Sequence, residues 1–270
     1  MALPAVVPKT FELMKENDFI RRSVGVAMTL LVYPLLVAWT VLCIIFFPPA
    51  FLAWRLLTGW PGGRIMRHVI WVYGHGWLAI MAPFVRFRRQ DFDNLRAISP
   101  SIIVLNHLSF FDTYCMALLP FHDVTFAVRA WPFRMFWYGA FMRLAGYLNV
   151  EDSSWEEIRD ASSRVLAAGG HLLFFPEGHR SRDGELQQFG GGAFRLAVET
   201  GASLVPLCIS GTWQLLPPGR FLLSPSRVTL RALPAIDAAR FAGKNGHRAL
   251  MRQVWKQMEE ALREMDGSRR

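Results

Sequence analysis

The chain opens with a long apolar stretch. No charged residue occurs from Ser23 to Trp54, although Pro34 lies inside this stretch and Pro48-Pro49 closes its most apolar part. As a helix rising about 1.5 Å per residue, the part from Val24 to Phe47 alone would cross a hydrocarbon core of about 30 Å. The pattern therefore predicts a membrane segment near the N-terminus.

The flanks of the apolar stretch do not fix its orientation. Basic residues precede it, as at Arg22, and follow it, as at Arg55, so the positive-inside rule favours neither direction. A shallow helical hairpin that enters and leaves the same leaflet is slightly favoured over a full span, because it keeps both flanks on the cytoplasmic side. A second apolar stretch, Val69 to Val85, is rich in aromatic residues. It fits a position at the headgroup boundary and a helix packed on a core equally well.

After Pro83 short β-rich runs alternate with helical ones. The predicted strands are Val85–Arg89, Ser101–Leu105, Val124–Val128, Tyr147–Val150, Leu172–Phe175, Leu204–Ile209 and Val228–Ala232. The predicted helices are Phe111–Leu119, Phe133–Leu144, Trp155–Ala168, Ala193–Thr200 and His247–Met265. This alternation predicts an α/β fold with a mostly parallel central sheet flanked by helices. We expect a membrane-anchoring helical region at 1–84 and an α/β domain at 85–270.

Charge and cysteine content narrow the class of protein. The formal net charge is +9, which suits an anionic partner such as a membrane surface or a phosphorylated substrate. Nucleic acid is disfavoured, since the chain has no block of consecutive basic residues, zinc-finger spacing or RNA-binding string. The three cysteines stand far apart in apolar runs, so no disulfide framework or metal site is expected.

The string NHLSFFD follows the second predicted strand and carries His107 and Asp112. A neutral histidine at a strand end can accept a proton from an alcohol, and a carboxylate on its other ring nitrogen would fix the tautomer. By spacing alone, a helix-capping Asp112 beside a polar loop histidine is the more common outcome. The chain has no G-x-S-x-G string, so a base that activates a bound substrate hydroxyl is favoured over a serine nucleophile.

The string FFPEGHRSR follows the middle strand of the predicted sheet. Gly178 would let a ligand approach the backbone closely, and the planar Arg180 guanidinium suits a phosphate. Glu177 could accept a hydrogen bond from a substrate hydroxyl or hold an arginine. An ordinary exposed turn explains the string equally well when it is taken alone.

Together the two strings resemble those of the lysophosphatidic acid acyltransferase family, over roughly Val85 to Ala235. The FGGGAFRLAVETGASLVPLCISGT stretch resembles a third block of that family. The resemblance implies an acyltransferase in which His107 deprotonates the acceptor hydroxyl and Asp112 orients His107. It also implies an acceptor site formed by Arg129, Glu177, Gly178, Arg180 and Ser181. The co-substrate would be acyl-CoA or acyl-carrier protein, with membrane lipids as surroundings, a lysolipid as acceptor, and no metal or other cofactor.

Two departures from the family pattern bear on the acceptor. The stretch Gly146 to Asp152 is acidic where relatives tend to carry an arginine, and Gly190 stands where they often have a lysine. The resemblance implies 1-acylglycerol-3-phosphate as the acceptor, giving phosphatidic acid. Because both changes remove positive charge from the acceptor side, another lysolipid such as lyso-ornithine lipid is the alternative. A lipid hydrolase and a non-catalytic lipid-binding membrane protein are further alternatives. The expected location is the membrane, with the catalytic domain on its cytoplasmic face.

Overall fold

The computed structural model describes residues 18–96, 98, 100–136 and 138–267. The predicted anchoring region, 1–84, therefore falls partly outside the described residues, at 1–17. Two long helices form the described part of this region: α1, Asp18–Thr58, and α2, Gly62–Met81. Gly59, whose φ is +66°, lies in the short turn between them. Contacts of Trp39 with Tyr73 and of Trp54 with His68 show that the two helices run antiparallel.

The expected hairpin inside the apolar stretch is wrong. Pro34, Pro48 and Pro49 all lie within α1, which continues for 41 residues, or about 62 Å. A proline removes one helical hydrogen bond, but in an apolar setting the helix remains the best way to satisfy the other backbone groups. The chain reverses direction only after Thr58. The helical hairpin in the structure is therefore the antiparallel pair of α1 and α2. Within the described residues, Arg22–Thr58 is the one segment long and apolar enough to cross a bilayer.

The rest of the chain builds an eight-stranded sheet with helices on both faces. Its strands are β1, Val85–Gln90; β2, Ser101–Leu105; β3, Val124–Val128; β4, Leu148–Asn149; β5, His171–Phe174; β6, Ser203–Ser210; β7, Ser226–Ala232; and β8, Ile236–Asp237. The remaining α-helices are α3, Asp93–Arg96; α4, Asp112–Cys115; α5, Ala130–Phe133; α6, Gly139–Ala145; α7, Trp155–Ala167; α8, Gly192–Thr200; α9, Thr212–Leu215; and α10, Gly246–Gly267. Two 3-10 segments, Met116–Leu118 and Ala238–Phe241, follow α4 and β8.

The strand order, β1-β7-β6-β2-β5-β3-β4, confirms the predicted mostly parallel sheet. Strands β6, β2, β5, β3 and β4 are parallel neighbours. Strand β7 pairs antiparallel with β6 but parallel with β1, and β8 also pairs antiparallel with β6. The carboxyl ends of β2, β5, β3 and β6 therefore meet at one edge, where ligands bind in open α/β sheets.

The central strand β2 is buried on both faces and its side chains alternate between two cores. Ile103 and Leu105 pack with Met28, Trp77 and Met81 from α1 and α2. On the other face, Ile102 and Val104 pack with residues of α8 and α10. The N-terminal helices thus share a core with the sheet, and α2 is a packed helix.

The predicted helix Phe133–Leu144 is wrong as a single element. It is divided into α5 and α6, with a turn between them in which residue 137 lies outside the described residues. A side chain at Gly139 would stand 2.1 Å from the Phe133 carbonyl oxygen, which instead accepts a hydrogen bond from Arg143. The close backbone approach at Gly139 turns the chain. By contrast, α7 begins at Trp155 as predicted, and a capping box formed by Ser154 and Glu157 caps its first turn.

Candidate active site

The turn after β2 brings His107 and Asp112 together. His107 Nδ1 lies 2.8 Å from Asp112 Oδ2, and the same oxygen accepts hydrogen bonds from the backbone N–H groups of Leu108 at 2.6 Å and Ser109 at 2.8 Å. The Asp112 side chain is fully buried, whereas 18 % of the His107 side chain is exposed. Asp112 stands at the start of α4, but its carboxylate points back toward the residues before it.

This geometry assigns the proton positions on the imidazole. Asp112 Oδ2 accepts two backbone N–H groups, as the oxygen of an ionised carboxylate does. Because an ionised carboxylate only accepts hydrogen bonds, Nδ1 of His107 must carry a proton. In the neutral ring Nε2 is then the unprotonated nitrogen, which is the state that a general base requires. The ring stacks on Phe175, with centroids 4.1 Å apart, and this contact limits its rotation.

Glu177, after β5, supports the main chain of His107. Its Oε1 accepts from the His107 backbone N–H at 2.7 Å, and its Oε2 accepts from the Gln187 N–H at 3.0 Å. A third bond runs from the Ser181 N–H to the His107 carbonyl oxygen at 2.7 Å. The two motif strings are therefore joined through their backbones, and Glu177 is buried between them.

Burial also changes the acidity of Glu177. Desolvation raises the pKa of this carboxyl from 4.5 to about 7, although the two backbone N–H donors act in the opposite direction. A carboxyl with both oxygens already bonded to main-chain groups has little capacity left for a substrate hydroxyl. In this structure its contacts are those of a residue that positions His107.

A residue that the sequence reasoning missed, Asn106, fixes the other side of the turn. Its side-chain amide donates to the Ile209 carbonyl oxygen at 2.9 Å and its oxygen accepts from the Ile209 N–H at 2.8 Å. This pair of bonds ties the end of β2 to the end of β6, where Asn106 is buried. The asparagine directly before His107 was visible in the sequence, but its partner lies 103 residues away.

The turn that follows Glu177 is open to solvent. Gly178 has a φ of +72°, which other residues adopt only with strain, and no atom lies within 4 Å of where a side chain would begin. The side chains of His179 and Arg180 are exposed. Within the described part of the chain, Arg180 has no acidic partner. Its guanidinium is thus available for an anion at the same sheet edge as His107.

Ser181 lies differently from its neighbours. It is fully buried, and its hydroxyl donates to Asp183 at 2.8 Å and accepts from the Gly184 N–H at 3.0 Å. These bonds shape the loop between the Glu177 turn and Gln187. Here the Ser181 hydroxyl holds the loop.

Arg129 follows β3 at the same edge and is bound by an acidic partner. Its Nε donates to Glu151 Oε1, while Glu151 Oε2 accepts from the Ala130 N–H at 2.8 Å. Glu151 belongs to the acidic stretch that departs from the family pattern. Its carboxylate neutralises the arginine that the resemblance assigns to the acceptor.

The described residues hold no group of three histidine, cysteine or acidic side chains placed to bind a metal ion. Cys115 and Cys208 are buried, and burial raises the pKa of both thiols. Their thiols are therefore poorly suited to act as nucleophiles. The chemistry at this edge rests on His107, Asp112 and the arginines.

Comparisons with known proteins match the part of the chain that carries this site. Residues 86–210 match the family model described as Acyltransferase. The chain is 32 % identical over 148 residues to a chloroplastic 1-acyl-sn-glycerol-3-phosphate acyltransferase from Arabidopsis thaliana, covering 53 % of this chain and 41 % of the relative. It is 28 % identical over 214 residues to a 1-acyl-sn-glycerol-3-phosphate acyltransferase from Limnanthes douglasii. That match covers 74 % of this chain and 68 % of the relative.

Among solved structures, the 1-acyl-sn-glycerophosphate acyltransferase PlsC from Thermotoga maritima superposes with a TM-score of 0.73 at 20 % identity. The superposition covers 91 % of this chain and 98 % of that one, and shows the same fold. The sequence match to the Arabidopsis relative spans less than half of that protein's length. The matched region contains both motif strings, and the sequence matches together with the shared fold support the lysophosphatidic acid acyltransferase family.

Proposed function

We propose that this protein transfers a fatty acyl group from a thioester donor to the hydroxyl of a lysolipid. The observation that carries the proposal is the bond between His107 and a buried, backbone-bonded Asp112 at the carboxyl edge of the sheet. This arrangement leaves Nε2 of His107 as a base in a partly exposed position. Because Cys115 and Cys208 are buried and Cys43 lies in α1, the substrate's own hydroxyl is the nucleophile.

The reaction follows from the proton positions. Nε2 of His107 takes the proton of the acceptor hydroxyl as its oxygen attacks the thioester carbonyl carbon, and Asp112 stabilises the imidazolium that forms. Collapse of the tetrahedral intermediate breaks the carbon–sulfur bond, and the leaving thiolate takes the proton from the imidazolium. One ester bond forms, one thioester bond breaks, and His107 returns to its neutral state. The donor is acyl-CoA or acyl-carrier protein, and no other cofactor takes part.

The proposed acceptor is 1-acylglycerol-3-phosphate, the substrate after which both plant relatives are named. The exposed Arg180 supports it, because a planar guanidinium binds phosphate through two parallel hydrogen bonds. The ion pair of Arg129 with Glu151 favours a second candidate, a lysolipid with less negative charge such as lyso-ornithine lipid. The acceptor site has one cation fewer than a phosphate would be expected to use.

The proposed location is the membrane, with the α/β domain on the cytoplasmic side. Helix α1 supports the membrane location, since only 11 % of its most apolar stretch is buried within the protein. Large apolar side chains on the rest of its surface would be removed from water by lipid.

The test is an acyl-transfer assay on the full chain in detergent and in lipid, with acyl-CoA and acyl-carrier protein as donors and a panel of lysolipids as acceptors. We expect transfer to 1-acylglycerol-3-phosphate, and a loss of about 100- to 10,000-fold in kcat for His107→Ala at unchanged folding. His179→Ala, which removes an exposed histidine of the neighbouring turn, is the matched control. Absence of transfer to every acceptor would refute the function, and near-normal turnover by His107→Ala would refute its role as base.

A further inference from the structure

The segment 216–225, between α9 and β7, leaves the active-site edge and crosses to α1. The backbone N–H of Leu223 donates to Thr29 Oγ1 of α1 at 2.9 Å, and Leu223 is fully buried. At Gly25 the two backbones approach so closely that a side chain would stand 2.7 Å from the Leu223 carbonyl oxygen. The segment is therefore fixed against the membrane helix.

The tip of this segment exposes two large apolar side chains. Phe221 is 70 % exposed and Leu222 is 56 % exposed. The Phe221 ring lies beside that of Tyr33 on α1, with centroids 4.8 Å apart, and its carbonyl oxygen accepts from the Tyr33 hydroxyl at 2.9 Å. An exposed phenylalanine and leucine side by side in a rigidly held loop indicate a surface that is covered in use.

The same surface continues along α1. Val26, Leu30, Tyr33 and Val37 follow one another at spacings of four, three and four residues, which places them on one stripe of the helix. Val26, Leu30 and Val37 are exposed. Because Tyr33 belongs to this stripe and contacts Phe221, the tip of the segment extends the apolar stripe sideways from the helix.

Charge is arranged around this surface as it is at a bilayer interface. Arg220 directly precedes Phe221 and is exposed, and Arg22 is exposed near the N-terminal end of the stripe. Basic side chains beside an apolar tip suit anionic headgroups above an acyl region. The apolar tip and the exposed stripe of α1 form one continuous surface, which favours lipid over a protein partner as its cover.

The base of the segment contacts the catalytic turn. The Leu216 carbonyl oxygen accepts from the Ser109 hydroxyl at 2.8 Å, and the Ser109 backbone N–H donates to Asp112. The segment whose Phe221 would contact the bilayer is thus hydrogen-bonded to the turn that carries His107. We propose that residues 216–225 are a second bilayer-contacting element, which inserts Phe221 and Leu222 beside α1 and holds the His107 edge of the sheet against the lipid surface. This rests on the proposed membrane location of α1.

The direct test measures what surrounds Leu222 in the full chain reconstituted into vesicles of mixed neutral and anionic phospholipid. A fluorophore is attached to Leu222→Cys in a Cys43→Ala background, since the other two cysteines are buried. Reference labels are placed at Leu42, on the exposed side of α1, and at Lys244, an exposed residue before α10 on the other face of the sheet.

We expect the label at residue 222 to behave like the one at residue 42, quenched by lipids with a spin label on the acyl chain and protected from iodide in the water. The label at residue 244 should show the reverse. Iodide quenching at residue 222 as strong as at residue 244 would overturn the proposal. Protection of residue 222 from both quenchers would also overturn it, because a protein surface would then cover the tip.

A second measurement separates this inference from the proposed function. For Phe221→Ser with Leu222→Ser, we expect the KM for a vesicle-borne acceptor to rise about tenfold, with unchanged turnover of a monomeric short-chain acceptor. Lys244→Ser, at the exposed residue on the other face of the sheet, is the control and should change neither value. Equal loss with both acceptors, or an equal effect of the control, would overturn the proposal. A wild-type chain that acylates neither acceptor would refute the function, while the quenching result would still stand.

Discussion

Two groups of side chains share the active-site edge, and they differ in how firmly they are held. At the ends of β2 and β5, His107, Asp112 and Glu177 are joined by five hydrogen bonds of 2.6 to 3.0 Å, four of which involve backbone N–H groups. At the end of β3 and in the turn after Glu177, Arg129 and Arg180 are exposed, and one of them is paired with Glu151. The base is held in place before substrate arrives, whereas the cations are free to rearrange around it.

The difference separates reaction from recognition. A general base must be placed to within a fraction of an ångström, and backbone hydrogen bonds supply that precision. An exposed arginine stays hydrated until the acceptor binds. Its contribution to acceptor affinity depends on whether it must first leave an ion pair, as Arg129 must leave Glu151. His107, Asp112 and Glu177 form the firmly held half of the site, where we expect small changes to lower kcat strongly. Arg129 and Arg180 form the exposed half, where we expect small changes in KM that depend on the acceptor.

The largest effect is expected for Asp112→Asn. The amide can keep its single oxygen where Oδ2 accepts all three hydrogen bonds, but it carries no charge with which to stabilise the His107 imidazolium. It also places an NH₂ group at the buried position of Oδ1, which has no hydrogen-bond partner in the described part of the chain. We expect kcat to fall about 100- to 10,000-fold, and the free energy of unfolding to fall by about 1–3 kcal/mol. Single-turnover kinetics and thermal unfolding would measure the two losses. Asp183→Asn, in the exposed loop beyond Ser181, is the control, and a comparable loss of kcat in that variant would remove the distinction between the two carboxylates.

Glu177→Gln tests the hydrogen bonds by which the turn after β5 holds the His107 main chain, and its effect on kcat should be intermediate. One of the two backbone donors, from His107 or Gln187, would then face an amide NH₂ group, so the His107 main chain should shift. We expect kcat to fall about tenfold with little change in KM, as for loss of one hydrogen bond that acts through another residue. An unchanged kcat would contradict the role of Glu177 in positioning His107. A rise in KM alone would indicate that Glu177 contacts the acceptor.

The same substitution has a pH signature. The folded pKa of about 7 lies above the ordinary 4.5, so between these values the folded chain binds more protons than the unfolded chain. The free energy of unfolding therefore falls as pH rises through this window, by up to about 3 kcal/mol from this group. The unfolding midpoint of Glu177→Gln should decline less than that of the wild type between pH 4.5 and 7. Parallel pH profiles would contradict the burial argument.

The sequence predicted the firmly held half better than the exposed half. Strands Ser101–Leu105 and Val124–Val128 were predicted with their observed bounds, because a short apolar run ending at a polar residue is a local signal. The spacing of His107 and Asp112 allowed a contact, which the structure places at 2.8 Å. The bonds from Asn106 to Ile209 and from Glu177 to His107 join residues 103 and 70 positions apart, and no local pattern encodes them.

Two local signals misled for physical reasons. Prolines 34, 48 and 49 predict a break in a helix exposed to water, but a long apolar helix has no better way to satisfy its backbone. The sequence predicts one helix over Phe133–Leu144, whereas the close approach of Gly139 to the Phe133 carbonyl oxygen turns the chain, and the helix begins only at Gly139. In both cases the outcome depends on surroundings that the segment itself does not contain.

The smallest expected effect belongs to the exposed half and decides the acceptor. Glu151→Gln should release Arg129 from its ion pair while leaving a hydrogen-bonding group for the Ala130 N–H. Because the pair is exposed and screened by solvent, its release has only a small effect on binding. The KM for 1-acylglycerol-3-phosphate should therefore fall about two- to fivefold if Arg129 turns to the phosphate, with kcat unchanged. Measured beside it, Arg129→Gln with Glu151→Gln should reverse the gain, and a lysolipid without a phosphate should respond to neither variant. An unchanged KM for the phosphate acceptor, together with a changed KM for a zwitterionic lysolipid such as lyso-ornithine lipid, would instead mean that the arginine and glutamate bind the acceptor as a pair, and that the natural lysolipid carries both charges.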